Sequence, residues 1–140
     1  MTTEEELKIT ENVRSVKARY FRFTDSKSWS ELATIFCKEA SLGGVEGPSF
    51  TGVDNIVELI RRGTDRVTTV HHGHCHEVWV DSPTQARGVI AFEDLGFSKK
   101  TDELVMHGYG HYHETYRKLD GEWLFATIHL RRLRLVTTVR

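Results

Sequence analysis

Apolar positions recur at steps of four and three through the first part of the chain and at steps of two through the rest. From about Thr3 to Phe23, the residues Ile9, Val13, Val16, Tyr20 and Phe23 fall on one stripe, which predicts an amphipathic helix. In the following TDSKSWSELATIF, Ser28 with Glu31 fits a capping box in which Ser28 is the N-cap. A second short helix is expected there, with Trp29, Leu32, Ile35 and Phe36 turned inward and Asp25 in the turn before it. SLGGVEGPSF reads as a broken strand or loop, and TGVDNIVELIRRG as a third helix ended by Gly63.

Beyond that point the period is two. VHHGHCHEVWV, ARGVIAFEDLGF, LVMHGYGHYHETYRKL and EWLFATIHLRRLRLV all read as long strands. Asp81-Ser82-Pro83 and Asp120-Gly121 mark turns between them, and Asp-Gly is a strong hairpin signal. Helices first and antiparallel strands afterwards describe an α+β fold. Residues 1–140 are expected to form a single domain, a strongly curved sheet wrapped on three N-terminal helices. A conical cavity between sheet and helices would be a ready small-molecule site.

Bulk composition narrows the partners. The 140 residues carry a formal net charge of −1, so long-range electrostatics do not point to nucleic acid or to a membrane surface. The basic run RRLRL alternates with apolar residues and suits a strand. No apolar segment approaches the roughly 20 residues that span a bilayer. The start, MTTEEELK, is acidic and polar, unlike a secretory signal, so a cytoplasmic location is expected. Cys37 and Cys75 make no disulfide framework; they are expected in helix and strand, as small buried groups.

Four of the eight histidines lie between Thr68 and Val80. Metal ligation, proton transfer and polar decoration of a sheet would each use such a run. His-x-His on one strand offers two ligands to a transition metal, and His111 and His113 could add more. Polar or interface groups on an outer face, or a pH-sensitive subunit contact, are the other readings.

The order and spacing of TDSKSWSEL, TTVHH and YRKLDGEWLFA resemble the scytalone dehydratase group, SnoaL-like domains within the nuclear transport factor-like superfamily of cone-shaped α+β folds. The resemblance covers nearly the whole chain. It implies that Asp25, in the first interhelix turn, pairs with His71 at the start of a long strand. It also implies a role for Tyr20, which stands five residues before the Asp as in the bile-acid dehydratases. Thr24 stands where scytalone dehydratase has a Tyr, Gly43 and Gly44 stand near its second Tyr, and Ile90 falls near its second pocket histidine. The proton-handling pair is thus kept while the substrate-gripping groups change, which implies a different substrate. Relatives pack the outer sheet face into trimers, so a homo-oligomer is expected, a trimer ahead of a dimer.

With His71 facing the cavity, strand alternation turns Gly73 and Cys75 the same way and His72, His74 and His76 the other. Matching Tyr112 to the family's pocket position turns Met106, Gly108 and Gly110 inward and His107, His111 and His113 outward. On the last strand, Leu124, Ala126, Ile128, Leu130 and Arg132 would line the cavity, leaving His129 outside. Seven histidines then share the outer face and one is chemical. A β-bulge would flip part of this pattern.

The expected activity is a cofactor-independent lyase of the dehydratase type. An imidazole takes and returns a proton near neutral pH, and a carboxylate on its other nitrogen fixes the tautomer. His71 is the expected base, Asp25 its orienting partner and Tyr20 an assisting acid. Tyr112, Arg132, Ile90 and Thr24 are the expected substrate contacts. No metal is assigned to this site. Isomerisation or cyclisation with the same base, or ligand binding without catalysis, would use the same cavity.

Overall fold

The computed structural model describes residues 1–44 and 48–138. The chain runs α1 (Thr3–Asp25), α2 (Trp29–Ala33), β1 (Phe36–Gly44), β2 (Phe50–Thr51), α3 (Val53–Gly63), β3 (Val67–Ser82), β4 (Gln85–Ser98), β5 (Leu104–Leu119) and β6 (Glu122–Thr137). Part of the SLGGVEGPSF segment, residues 45–47, lies outside the described residues.

The helix begins with a capping box: Thr2 accepts from the Glu5 backbone N–H, and the Glu5 side chain accepts from that of Thr2. Every residue of the predicted stripe (Ile9, Val13, Val16, Tyr20, Phe23) is buried. The helix runs two residues further than its apolar stripe, so Asp25 is its last residue and not part of the turn. The second expected capping box is absent: Ser28 makes no side-chain cap, and α2 is only five residues long. Phe36 and Cys37 consequently belong to a strand. A single helical turn cannot hold itself together by propensity, and Leu32, Ile35 and Phe36 are fixed by burial instead.

The six strands form one mixed sheet in the order β2-β1-β6-β5-β4-β3. Only the β1–β6 pair is parallel. The Asp120-Gly121 hairpin has positive φ at both residues, 50° and 80°, as a tight primed turn requires. Helix α1 packs on both β3 and β6, three places apart in the sheet, which only a curved sheet allows. The result is an open cone with α1 across its mouth and the core between.

Two bulges reset the inward phase. In β3 the register with β4 shifts between His74 and Glu77, and Cys75 sits there with φ of 49°. Thr69 and His71 face the cone before it; His76, Val78 and Val80 face it after. Hence His76 points inward, against the simple alternation, and Cys75 is exposed rather than buried. In β6 the register with β5 shifts between Phe125 and Thr127. Trp123 and Phe125 are therefore the buried residues, in place of the expected Leu124 and Ala126. Among the described residues, no helix is long and apolar enough to cross a membrane.

Candidate active site

A cavity of roughly 230 Å³ lies between α1, α3 and the concave side of the sheet. Its walls are mostly apolar, with Leu42, Ile60, Met106, Ile128 and Leu130, and its polar side chains include Tyr20, Thr24, Thr69, His71, Asp94, Tyr112 and Arg132.

Asp25 ends α1 directly behind His71. A carboxylate at a helix C-terminus opposes the helix dipole, by about 0.3–1 kcal/mol, and needs partners. It has three: the His71 ring Nδ1 lies 2.6 Å from Oδ1, the His71 backbone N–H donates to Oδ2 at 2.9 Å, and Thr69 Oγ1 donates to Oδ1 at 2.9 Å. A carboxylate only accepts, so Nδ1 carries the proton and Nε2 is left with its lone pair. Phe21 stacks on the imidazole, with ring centroids 5.6 Å apart and planes 15° from parallel. The ring is thus fixed in both tautomer and plane.

Across the cavity, Arg132 reaches from β6 over β5 to Asp94 on β4. The contact is bidentate, with Nη1–Oδ1 at 3.0 Å and Nη2–Oδ2 at 2.9 Å. β5 permits this because residue 108 is glycine: a Cβ there would collide with both the guanidinium and the carboxylate. Hydrogen bonding to Asp94 pushes the Arg132 pKa further up, so this cation is permanent. Asp94 stands opposite His71 in the β3–β4 register, on the same face of the sheet.

The phenols of Tyr20 and Tyr112 form the floor, with ring centroids 5.9 Å apart. Burial, reinforced for Tyr20 by the Glu114 charge and for Tyr112 by Tyr20 itself, raises both above the ordinary phenol value. They stay protonated and remain hydrogen-bond donors. Beneath them lies a buried ion pair, Lys17 Nζ to Glu114 Oε2 at 2.6 Å. The ammonium sits 3.4 Å from the Tyr112 ring centroid and 4.1 Å from that of Tyr20. Glu114 also accepts from Tyr116 at 2.6 Å, whose hydroxyl lies 3.2 Å from His76 Nε2. Burial lowers the Lys17 pKa to about 8 against the opposing pull of Glu114. Burial, then the Lys17 and Arg14 charges, lower that of His76 to about 4.

Of the residues expected from sequence, Tyr20, Thr24, His71, Tyr112 and Arg132 line the cavity, and Asp25 stands behind His71. Thr24 is 2% exposed and its hydroxyl has no hydrogen-bond partner. Ile90 is not among the lining residues; it is core, and its Cδ1 fills the space beside Gly73 and Phe21. Asp94, Thr69, Phe21 and the Lys17–Glu114 pair were not foreseen. Asp94 shares its parity with Ala86, Ile90 and Phe92, all buried, so the alternation that carried Ile90 inward also carried Asp94. No comparable signal marked Lys17, which the polar positions of a long amphipathic helix would hide.

An open cone of this topology, with polar groups gathered on its inner face, places the molecule in the nuclear transport factor-like fold. The chain belongs to the SnoaL-like domain family, whose pattern matches residues 5–129. A provisional scytalone dehydratase of Novosphingobium aromaticivorans superposes with a TM-score of 0.89 at 23% identity, over 99% of this chain and 94% of that one. The hexachlorocyclohexane dehydrochlorinase LinA-type3 of Novosphingobium barchaimii superposes with a TM-score of 0.85 at 16% identity, over 99% and 95%. The probable cyclase FGR4 of Gibberella zeae is 23% identical over 134 residues, 86% of this chain and 89% of that protein. At these identities the structural likeness speaks for the fold, and the family includes dehydratases, dehydrochlorinases and cyclases.

Proposed function

We propose that the chain is a cofactor-independent lyase that eliminates water, or another leaving group, from a small and largely apolar cyclic or polyketide-like substrate. The observation that carries this reading is the 2.6 Å contact between His71 Nδ1 and Asp25, which leaves Nε2 as the basic ring nitrogen of a residue lining the cavity. A merely structural histidine would be served by any acceptor. This one is oriented, stacked and half of its hydrogen-bonding capacity is left unused.

The steps follow from the arrangement. His71 Nε2 takes a proton from a carbon next to an electron-withdrawing oxygen function. The C–H electron pair forms the new double bond, and the leaving group departs with its own pair. Asp25 stabilises the imidazolium that forms. Negative charge developing on the substrate oxygen is met by the Arg132 guanidinium, held in place by Asp94, and by the phenol donors of Tyr20 and Tyr112. Preorganised charge of this kind is usually the largest single contribution to catalysis. A departing hydroxide takes its proton from the imidazolium or from Tyr20.

The same base would serve a cyclase, and the likeness to the probable cyclase FGR4 keeps that reading alongside. Product analysis separates them. With a panel of cyclic β-hydroxy ketones, mass spectrometry reads loss of one water for the lyase and an unchanged mass for isomerisation. Absence of either product across the panel, with the panel members still bound in the cavity, would point to a binding protein. The expected assembly is a homo-oligomer, and a cytoplasmic location accords with it.

A further inference from the structure

The opposite face of the sheet carries a second group of chemistry-bearing residues that the elimination chemistry does not use. On β3, His72 and His74 point outward, two residues apart. On β4, Glu93 stands opposite His72 in register. On β5, Glu93 pairs with Tyr109, and His107 lies two residues from Tyr109 on the same face. Three imidazoles converge on this one carboxylate. His107 Nε2 lies 3.1 Å from Oε2, His72 Nδ1 3.5 Å from Oε1, and His74 Nε2 3.9 Å from Oε1.

We propose that this face binds a borderline divalent transition-metal cation, zinc in the first instance, through His72, His74, Glu93 and His107. Three imidazole nitrogens and one carboxylate oxygen are a ligand set suited to such a cation. The backbone is preset, because all four residues sit on adjacent strands of a continuous ladder. Among the described residues, no three such donors already stand around a cation. The carboxylate itself occupies the point on which the rings converge, and the cation would enter between them. His72 and His74 are more than half exposed, so their rings can turn without disturbing the core.

A second feature fits ligation. His107 Nδ1 lies 3.3 Å from the Tyr109 hydroxyl, and the two rings stack at 4.4 Å. A metal-bound imidazole is oriented by a partner on its other nitrogen, and here that partner leaves Nε2 for the cation. Arg134 lies opposite Tyr109 one strand further out, away from the carboxylate. The remaining outward histidines, His111, His113 and His129, share the face but have no contact with Glu93, which makes them an internal control.

The test is calorimetric titration of the tag-free chain with zinc chloride, in a Cys75→Ser background that removes the exposed thiol. One zinc per chain is expected. Glu93→Gln and His72→Ala/His107→Ala should each weaken binding by at least about tenfold, while His111→Ala/His113→Ala should leave it unchanged. Unaltered binding in Glu93→Gln and His72→Ala/His107→Ala, or no uptake by the parent protein, would overturn the assignment.

Discussion

His71 is tied to Asp25 twice: by its ring nitrogen at 2.6 Å and by its own backbone N–H at 2.9 Å. The second bond fixes where β3 starts relative to the end of α1, and the first then fixes the ring. Orientation of the base is therefore built into the junction of helix and sheet. His71→Ala and Asp25→Asn should each lower kcat by roughly 100- to 10,000-fold. The far-ultraviolet circular dichroism of both variants should match the parent. Full turnover in either variant would remove His71 as the base.

The passage of Arg132 over β5 depends on Gly108. Gly108→Ala should drive the Arg132–Asp94 pair apart and cost about 1–3 kcal/mol of stability, with a fall in turnover. Gly63→Ala is the control, since a Cβ there meets nothing within 4 Å and should be neutral or slightly stabilising. Urea denaturation of the two variants reads the difference. Equal stability would mean that Arg132 reaches its partner by another path.

Much of this was legible in the chain. The steps of four and three in α1 reflect a helix with one buried face, and the steps of two reflect a half-buried sheet, so the element order followed directly. Asp25, His71 and Tyr20 were reached through resemblance, and their geometry agrees. The failures have a common physical source. Alternation carries direction only while a strand stays regular, and the bulges at Cys75 and near Ala126 reversed it for His76, Leu124 and Ala126. α2 was misread because Ile35 and Phe36 suit the inward side of a helix and of a strand equally. Lys17 was hidden because nothing along the sequence says that Glu114, 97 residues away, will meet it in the core.

That buried pair makes a sharp energetic prediction. Removing one partner leaves the other charge buried without compensation, at a cost of about 3–5 kcal/mol. Lys17→Met and Glu114→Gln should each be strongly destabilising. The double substitution should be less destabilising than the sum of the two. Additive losses in chemical denaturation would show that the two side chains do not support one another.

His76 gives the protein an acid sensitivity of known sign. Its folded pKa, about 4, lies below the usual histidine value near 6.5 because burial and the Lys17 and Arg14 charges disfavour the imidazolium. Between those two values the unfolded chain binds a proton that the folded chain does not. Stability from this group is complete above pH 6.5 and is lost as pH falls towards 4. His76→Gln should flatten the stability profile in that window. An unchanged slope would place the acid sensitivity elsewhere.

Thr24 sets stability against function. Its hydroxyl is buried beside the cavity without a partner, a state that costs roughly 1–3 kcal/mol. Valine has nearly the same shape and no hydroxyl, so Thr24→Val should raise the unfolding midpoint or leave it unchanged. If the hydroxyl serves the substrate, the same substitution should raise KM or lower kcat/KM by about tenfold, equivalent to one lost hydrogen bond. Greater stability with unaltered kinetics would make Thr24 a packing residue, and the polar contacts of the substrate would then fall to Tyr20, Tyr112 and Arg132.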